Sequence, residues 1–581
     1  MPVWERKLAL DFRLSEFIRL VESGESVMGN VKPEGLLKRS SIGSKGHKRK
    51  VALVYTGAVS LGSFEAGVAY EIVEYIRGRR NPELDIDVIV GSSAGALTGA
   101  LTALALVFGL DPRIIEEAWM SVRLEDLLRL NPNDRSLLSS SKVEGLINKY
   151  IGPPADRSGN AHFQKVVNLV IVVTNLDGLK YEIHRAKDDE FSISAVSYED
   201  ALKFRIEPGF SDWEKLRNAV RASSAYPVAF EPKTIVRGSS EFRKLARYNF
   251  FGQEGKAFHY SDGGIVNNQP LNKAIDIVSE MPARDSGEEH ERIFLVIDPS
   301  PPGSYPSRKD YGVFEVATKA VWTIPRNQTL YKDLQLLEKV NRRIGWKNAF
   351  ISTMADLWNV NPIPPEKIHT LDELCGQVAR FKSSIVLGGD PAAYLKTEEV
   401  RIRNAYRNEV ERVRDDDFFV KYCFLLEQVA GLRAKHEVTV EMIRPHNAEA
   451  ELTGVIYGSF GGFLDAGFMR HDYNVGRTYG RRWLTKELDL YRGVHYREQP
   501  VDPKVRRKVL QMLFDNSVPL LFEEIGPRLF AGKGDIPKDV TGVLTFAGMF
   551  VVSLAKYIVR KSIYWTKEII LARPAPPKKN K

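Results

Sequence analysis

Gly91-Ser92-Ser93-Ala94-Gly95 places a hydroxyl between two glycines at G-x-S-x-G spacing. A serine so placed can act as an acyl-transfer nucleophile if it sits on a tight turn between a strand and a helix. The flanks supply that setting. The apolar run Ile86–Val90 leads in, and the small-residue helical stretch Ala94–Val107 leads out. Gly91 and Gly95 let the backbone pass close by. The turn would hold Ser93 in a strained conformation, with its hydroxyl at a helix N-terminus, where backbone N–H groups favour negative charge. A chemically silent glycine turn is the competing reading, because a chain with 44 glycines can show this spacing by chance. Ser92 is the fallback nucleophile, off the centre of the glycine spacing.

An acyl-transfer serine needs donors for the developing oxyanion. A second strand, Val51–Tyr55, runs into Thr56-Gly57-Ala58-Val59-Ser60-Leu61-Gly62 and then into a helix over Phe64–Ile76. Such a loop exposes backbone N–H groups at the carboxyl end of a neighbouring strand. Gly57, Ala58, Val59 and Gly62 are its small or loop-forming positions. A phosphate loop is excluded because Gly62 is followed by Ser63 where a lysine is needed.

The serine also needs a base. None of the ten histidines stands in a catalytic setting, and no Ser, Asp, His order emerges. An acidic residue could serve alone if burial tuned it and geometry brought it to the hydroxyl. Asp262, in Tyr260-Ser261-Asp262-Gly263-Gly264, follows a short strand and opens a glycine turn. On the residues alone, an aspartate merely shaping a tight turn fits as well or better.

Taken in order, these blocks resemble the patatin-like phospholipase family. They are the loop Gly57–Gly62, the elbow at Ser93, a strand ending in Thr174-Asn175-Leu176-Asp177-Gly178, the segment Ala222-Ser223-Ser224-Ala225-Tyr226-Pro227 with Phe230 and Pro232, and the Asp262-Gly263-Gly264 turn. They span roughly residues 50 to 275. The resemblance implies a Ser–Asp dyad with no catalytic histidine. Ser93 would attack the acyl carbonyl, Asp262 would take its proton, and N–H groups near Gly57 and Ala58 would hold the oxyanion. The family loop is richer in glycine and carries Arg or Lys just before its last glycine. Here Ala58 and Val59 replace glycines and Leu61 replaces the cation. A passage from Phe468 to Tyr473, with Gly476 and Arg477, is similar to a downstream motif of some large bacterial patatin-related proteins. A plain packing role, with Asp472 and Arg477 in structural ion pairs, is the alternative.

These blocks need an α/β domain to bring them together. Short apolar strands at Val51–Tyr55, Ile86–Val90, Val166–Val173 and Ile293–Asp298 alternate with helical patterns, which predicts a mostly parallel sheet flanked by helices over 49–300. Residues 1–48 read as a lead-in and linker. Residues 301–535 read as an α-rich extension, with helical spacing over Leu330–Arg343 and Glu398–Arg414 and a possible strand at Val438–Ile443. Residues 536–581 read as an apolar helix and basic tail. The uncharged run Val540–Ala555 would reach about 24 Å as a helix, short of the ~30 Å hydrocarbon core. It is expected to dock on the protein or lie in a membrane interface.

Of the 581 residues, 43% are apolar and 27% charged, which excludes a disordered chain. The 83 basic and 74 acidic residues leave a net charge of +9, which suits an anionic surface, either lipid headgroups or nucleic acid, and equally an ordinary basic surface with no dedicated partner. No nucleic-acid motif is present, so no nucleic-acid partner is expected. The two cysteines, Cys375 and Cys423, form no metal-binding pair, and neither a metal nor another cofactor is expected. The start of the chain lacks a secretory pattern. The expected protein is cytoplasmic, with peripheral membrane contact, and hydrolyses carboxylic esters of phospholipids, lysophospholipids or glycerolipids. A transacylase, or a weakly active scaffolding protein on the same fold, stands as the alternative. Oligomeric state is not legible.

Overall fold

The computed structural model describes residues 49–487, apart from 79–83, 128–138, 154–163, 186–187, 228, 239–240, 242–254, 282–291, 301–323, 359–370, 381–389, 414–415, 433–437 and 456–458. The segments expected at 1–48 and 536–581 lie outside the described residues. The chain divides into units Met1–His47 and Lys48–Lys581, and every described element belongs to the second.

In chain order the first elements are β1 (Arg49–Tyr55), α1 (Gly62–Arg77), β2 (Leu84–Ser92), α2 (Ala94–Phe108), α3 (Arg113–Met120) and α4 (Ser141–Tyr150). Next come β3 (Val167–Arg185), β4 (Asp188–Ile206), α5 (Trp213–Ser223), β5 (Lys233–Arg237), β6 (Lys256–Asp262), α6 (Leu271–Glu280) and β7 (Arg292–Ile297). The remainder holds α7 (Ile324–Trp358), α8 (Pro391–Ala405), α9 (Asp416–Ala430), β8 (Thr439–Ile443) and α10 (Ala466–Arg482).

The eight strands form one sheet in the order β5-β6-β3-β2-β1-β7-β8, with β4 paired to β3. The run from β3 to β8 is parallel, while β4, β6 and β5 are antiparallel additions on the other side. The central parallel strands β1, β2, β3 and β7 carry apolar runs rich in Val, Ile and Leu because both faces are covered, whereas the edge strand β8 is more accessible. Leu53, Ile89, Ile171 and Leu295 point into one core, which α1 and α2 close. Their neighbours Val54, Val90, Val172 and Val296 point into the other, which Leu271 and Ala274 of α6 close. This period of two along each strand is the pleat itself.

The structure differs from the sequence reading in three places. The strand expected to stop at Val173 continues to Arg185 and returns as β4, which was not expected. Its inward residues Leu202, Phe204 and Ile206 are buried and alternate with more accessible ones. The helix expected across Glu398–Arg414 breaks at Tyr406, whose backbone leaves the helical region and whose hydroxyl is drawn to buried Glu427 at 2.6 Å. Finally, β8 and α10 lie far beyond residue 300 yet join the α/β core: β8 extends the sheet beside β7, and α10 packs on α1. Helices α7, α8 and α9 form a separate cluster around Ile351, Ile402, Phe419 and Phe424, in which Cys375 and Cys423 are free and buried.

Candidate active site

Ser93 occupies the single residue between β2 and α2. Its φ of 54° and ψ of −122° put a non-glycine residue in a strained region. The turn closes only because its neighbours lack side chains. A Cβ on Gly91 would overlap the Gly95 carbonyl, and one on Gly95 would lie 2.6 Å from the Tyr55 carbonyl oxygen. Two further serines brace the elbow. Ser223 Oγ accepts the Ser93 N–H at 2.8 Å and donates to the Val172 carbonyl at 2.6 Å. Ser224 lies beside the Ser93 carbonyl at 3.5 Å.

Asp262 ends β6, where antiparallel pairing sets it opposite Val173. Its backbone is held from both sides: its N–H donates to Ala225 O at 2.9 Å, and its carbonyl accepts Thr174 Oγ1 at 2.8 Å. One carboxylate oxygen accepts the Gly264 N–H at 2.7 Å. The other accepts the Ser93 hydroxyl. Two side chains 169 positions apart therefore meet in a buried hydrogen bond, with Asp262 fully buried and Ser93 6% exposed. Gly263 and Gly264 make a 3-10 turn after Asp262, and a Cβ on Gly263 would overlap the Val172 carbonyl. Ser92, the fallback, is buried, and its hydroxyl has no hydrogen-bond partner among the described residues.

The loop after β1 passes next to the serine. A Cβ on Gly57 would lie 3.2 Å from Ser93 Cβ. Here one expectation is corrected. The Gly57 N–H does not face an open site but donates to the Asn268 carbonyl at 2.9 Å, while Asn268 Nδ2 donates to Gly57 O at 3.1 Å. This two-way clamp removes Gly57 as an oxyanion donor. Among the described residues, the N–H groups of Ala58 and Val59 have no hydrogen-bond partner. Val59 has φ 52°, a costly conformation for a β-branched residue at a place where the resemblance expects glycine. Leu61, where a cation is expected, is buried in the core, and a Cβ on Gly62 would overlap the Trp119 ring.

The histidines whose side chains are described lie elsewhere. His259 sits 3.2 Å from Asp177 on the surface, His446 meets Arg482 at 2.9 Å, and His471 meets Glu451 O at 2.9 Å. Among the described residues no cluster of His, Cys, Asp and Glu could hold a metal ion. None of the described helices is long and apolar enough to cross a membrane.

Asn268 and Ser223 were not singled out by the sequence reading. Ser223 lay inside a block quoted for its family pattern, so the signal was available. Asn268, in Asn267-Asn268-Gln269-Pro270, carried no spacing that would mark it. Of the two residues that the packing alternative placed in structural ion pairs, Arg477 makes one and Asp472 is held by backbone donors instead. Arg477 pairs with Glu71 at 2.6 Å, and Asp472 accepts the backbone N–H groups of Thr453 and Gly454.

Glu65, in the first turn of α1, is fully buried and accepts a hydrogen bond from Thr56 Oγ1 at 3.4 Å, and its Oε2 has no partner among the described residues. Burial, and then the charge of Asp298, hold its carboxyl well above the usual range. A raised pKa contributes stability at low pH, and that contribution is lost as pH rises toward the folded pKa. Glu65→Gln should therefore gain on the wild type as pH rises, by up to about 1.4 kcal/mol per pH unit. Melting temperatures of both proteins at pH 5 and pH 8 check this. A constant difference between the two would contradict it.

The strained serine between β2 and α2, the buried aspartate bonded to it and the loop after β1 all lie within one stretch of the α/β domain. Residues 53–275 match the family described as patatin-like phospholipase, and the chain carries a patatin-like phospholipase domain there. An uncharacterized protein of Sinorhizobium fredii, y4iI, is 22% identical over 389 residues, which cover 50% of this chain and 54% of that protein. An uncharacterized membrane protein of Mycobacterium tuberculosis, Rv3479, is 25% identical over 241 residues, 37% of this chain and 21% of that protein. The chain thus spans about half the length of the first and a fifth of the second. The crystal structure of VipD from Legionella pneumophila aligns over 91% of this chain and 89% of that one, at 11% identity and a TM-score of 0.26, which is too low to equate the two structures.

Proposed function

We propose that the chain is a serine acyl hydrolase acting on carboxylic esters of phospholipids, lysophospholipids or glycerolipids. The observation that carries this reading is the buried hydrogen bond from the Ser93 hydroxyl to Asp262 at the N-terminus of α2. In the first step Asp262 accepts the Ser93 proton as the oxygen attacks the acyl carbonyl, giving a tetrahedral oxyanion. The Ala58 and Val59 N–H groups, with the dipole of α2, stabilise that charge. Collapse passes the proton to the leaving alcohol and leaves an acyl-Ser93. Water then attacks the acyl group, loses its proton to Asp262, and releases the fatty acid as Ser93 recovers its hydrogen. A net charge of +9 suits work at an anionic lipid surface, so peripheral membrane contact belongs to the same proposal. If an acceptor alcohol replaced water, the same steps would make the enzyme a transacylase.

One observation favours the second reading, a patatin-fold protein that binds lipid surfaces with little turnover. Leu61 buries an apolar side chain where the family resemblance places a cation. A fluorophosphonate probe separates the two. An active serine labels at one site, and peptide mapping should find the adduct on Ser93. A wild-type protein that stays unlabelled, or an adduct on another residue, would sink the hydrolase reading.

A further inference from the structure

We infer that residues 453–455 and 459–463, almost two hundred positions beyond the matched domain, position the oxyanion loop, with Ser60 as the positioning residue through which they act. This inference rests on the hydrolase reading above. Ser60 is fully buried in the 3-10 turn Val59–Leu61, immediately after the N–H groups of Ala58 and Val59, which have no hydrogen-bond partner among the described residues. Its hydroxyl donates to the Ser459 carbonyl at 2.5 Å and accepts the Gly462 N–H at 3.0 Å. Both hydrogen-bonding roles of the side chain are thus spent on the downstream segment and none on its own loop.

The same segment grips the loop at a second point. Gly454 packs so closely that a Cβ there would lie 2.8 Å from Leu61 Cδ2 and 3.0 Å from Ser60 Oγ. Buried Asp472, on α10, fixes that stretch by accepting the Thr453 N–H at 2.7 Å and the Gly454 N–H at 2.8 Å. On its far side the segment touches the brace of the nucleophile. Phe460 packs edge-on against Tyr226 with ring centroids 5.7 Å apart, and Tyr226 follows Ser223, Ser224 and Ala225, which hold Ser93 and Asp262. Residues 459–463 therefore bridge the donors and the nucleophile's support.

The need for such a brace follows from the loop's own sequence. With Val59 at φ 52° the turn is strained, and its conformation persists only if the surroundings over-determine it. Leu61 supplies an apolar anchor and Ser60 a hydrogen-bonded one. A loop shifted by about 1 Å is enough to lower catalysis about 100-fold.

The test uses the full chain and the rate of labelling by a fluorophosphonate, whose phosphoryl oxygen occupies the place of the oxyanion. Ser60→Ala should label about 10- to 100-fold more slowly than wild type, yet still reach one adduct per chain. A structural defect would instead lower the final stoichiometry. Gly454→Ala leaves the Ser60 hydroxyl in the chain but pushes a methyl against Asp472 Oδ2, Leu61 Cδ2 and Ser60 Oγ, and it should also slow labelling at full stoichiometry. On a soluble ester, kcat should fall for both variants with KM unchanged. Ser60→Ala and Gly454→Ala labelling at the wild-type rate, or losing only stoichiometry, would overturn the inference while leaving the hydrolase reading in place. A wild-type protein that does not label would overturn both.

Discussion

Asp262→Asn should lower ester turnover by about 100- to 10,000-fold with the fold intact. The two residues have nearly the same shape, and the amide oxygen can still accept the Gly264 N–H that Asp262 holds at 2.7 Å. The change falls on the other atom. Where a carboxylate oxygen now accepts the Ser93 hydroxyl, an NH₂ group would present hydrogens. Ser93 would have to turn its proton away, and its new partner could not receive it. The Val172 and Ala225 contacts that hold the elbow and Asp262 from the backbone side would remain. Turnover of a soluble nitrophenyl ester, read beside the circular dichroism spectrum and melting temperature, checks the prediction. Equal turnover by variant and wild type, at equal folded content, would show that the aspartate is not the base.

The elbow was legible because its signal is local. Ile86–Val90 must be a buried strand, Ala94–Val107 must be a helix, and the glycines leave room for the turn between them. The aspartate was different. Nothing near Asp262 distinguishes a base from a turn residue, because its position is set by Val173 and Thr174 on a strand some ninety positions earlier. Only the order of several blocks, compared with a family, pointed to it. The loop after β1 was legible as a loop, but the direction of each N–H was not, since the Gly57 donor is taken by Asn268 through a tertiary contact. The β4 return was missed for a physical reason as well. Its outer half carries Tyr198, half exposed, and polar neighbours, so it lacks the unbroken apolar run that marked the parallel strands. The reading of 301–535 as an α-rich extension meets helices α7, α8 and α9 among the described residues. It missed that β8 and α10 belong to the sheet domain, because edge pairing and helix docking leave no periodicity beyond that of a strand or a helix.

The docking of α10 leads to the second large effect. Gly476→Ala should destabilise the protein by about 1–3 kcal/mol, although alanine is the better helix former by about 1 kcal/mol. Gly476 faces α1 so closely that a Cβ would overlap the Phe64 carbonyl oxygen and lie 3.0 Å from Phe64 Cα. The obstacle is backbone, which cannot rotate aside as a long side chain could. Across the same contact, a Cβ on Gly67 of α1 would overlap the Tyr473 carbonyl, so neither helix has slack to offer. The helices would have to part, straining the pairs that Glu71 makes with Arg477 at 2.6 Å and Arg481 at 2.7 Å. The matched control is Gly145→Ala in α4, where nothing lies within 4 Å of the added Cβ, and that change should stabilise by roughly 0.5–1 kcal/mol. Opposite signs for one substitution in two helices separate packing from propensity. Denaturant midpoints for both variants supply the measurement, and a stabilised Gly476→Ala protein would refute the close crossing. Because α1 begins at Gly62, where the oxyanion loop ends, parting the helices moves the loop as well. Ester turnover by Gly476→Ala should accordingly fall by more than its loss of folded protein accounts for, whereas Gly145→Ala should retain full activity.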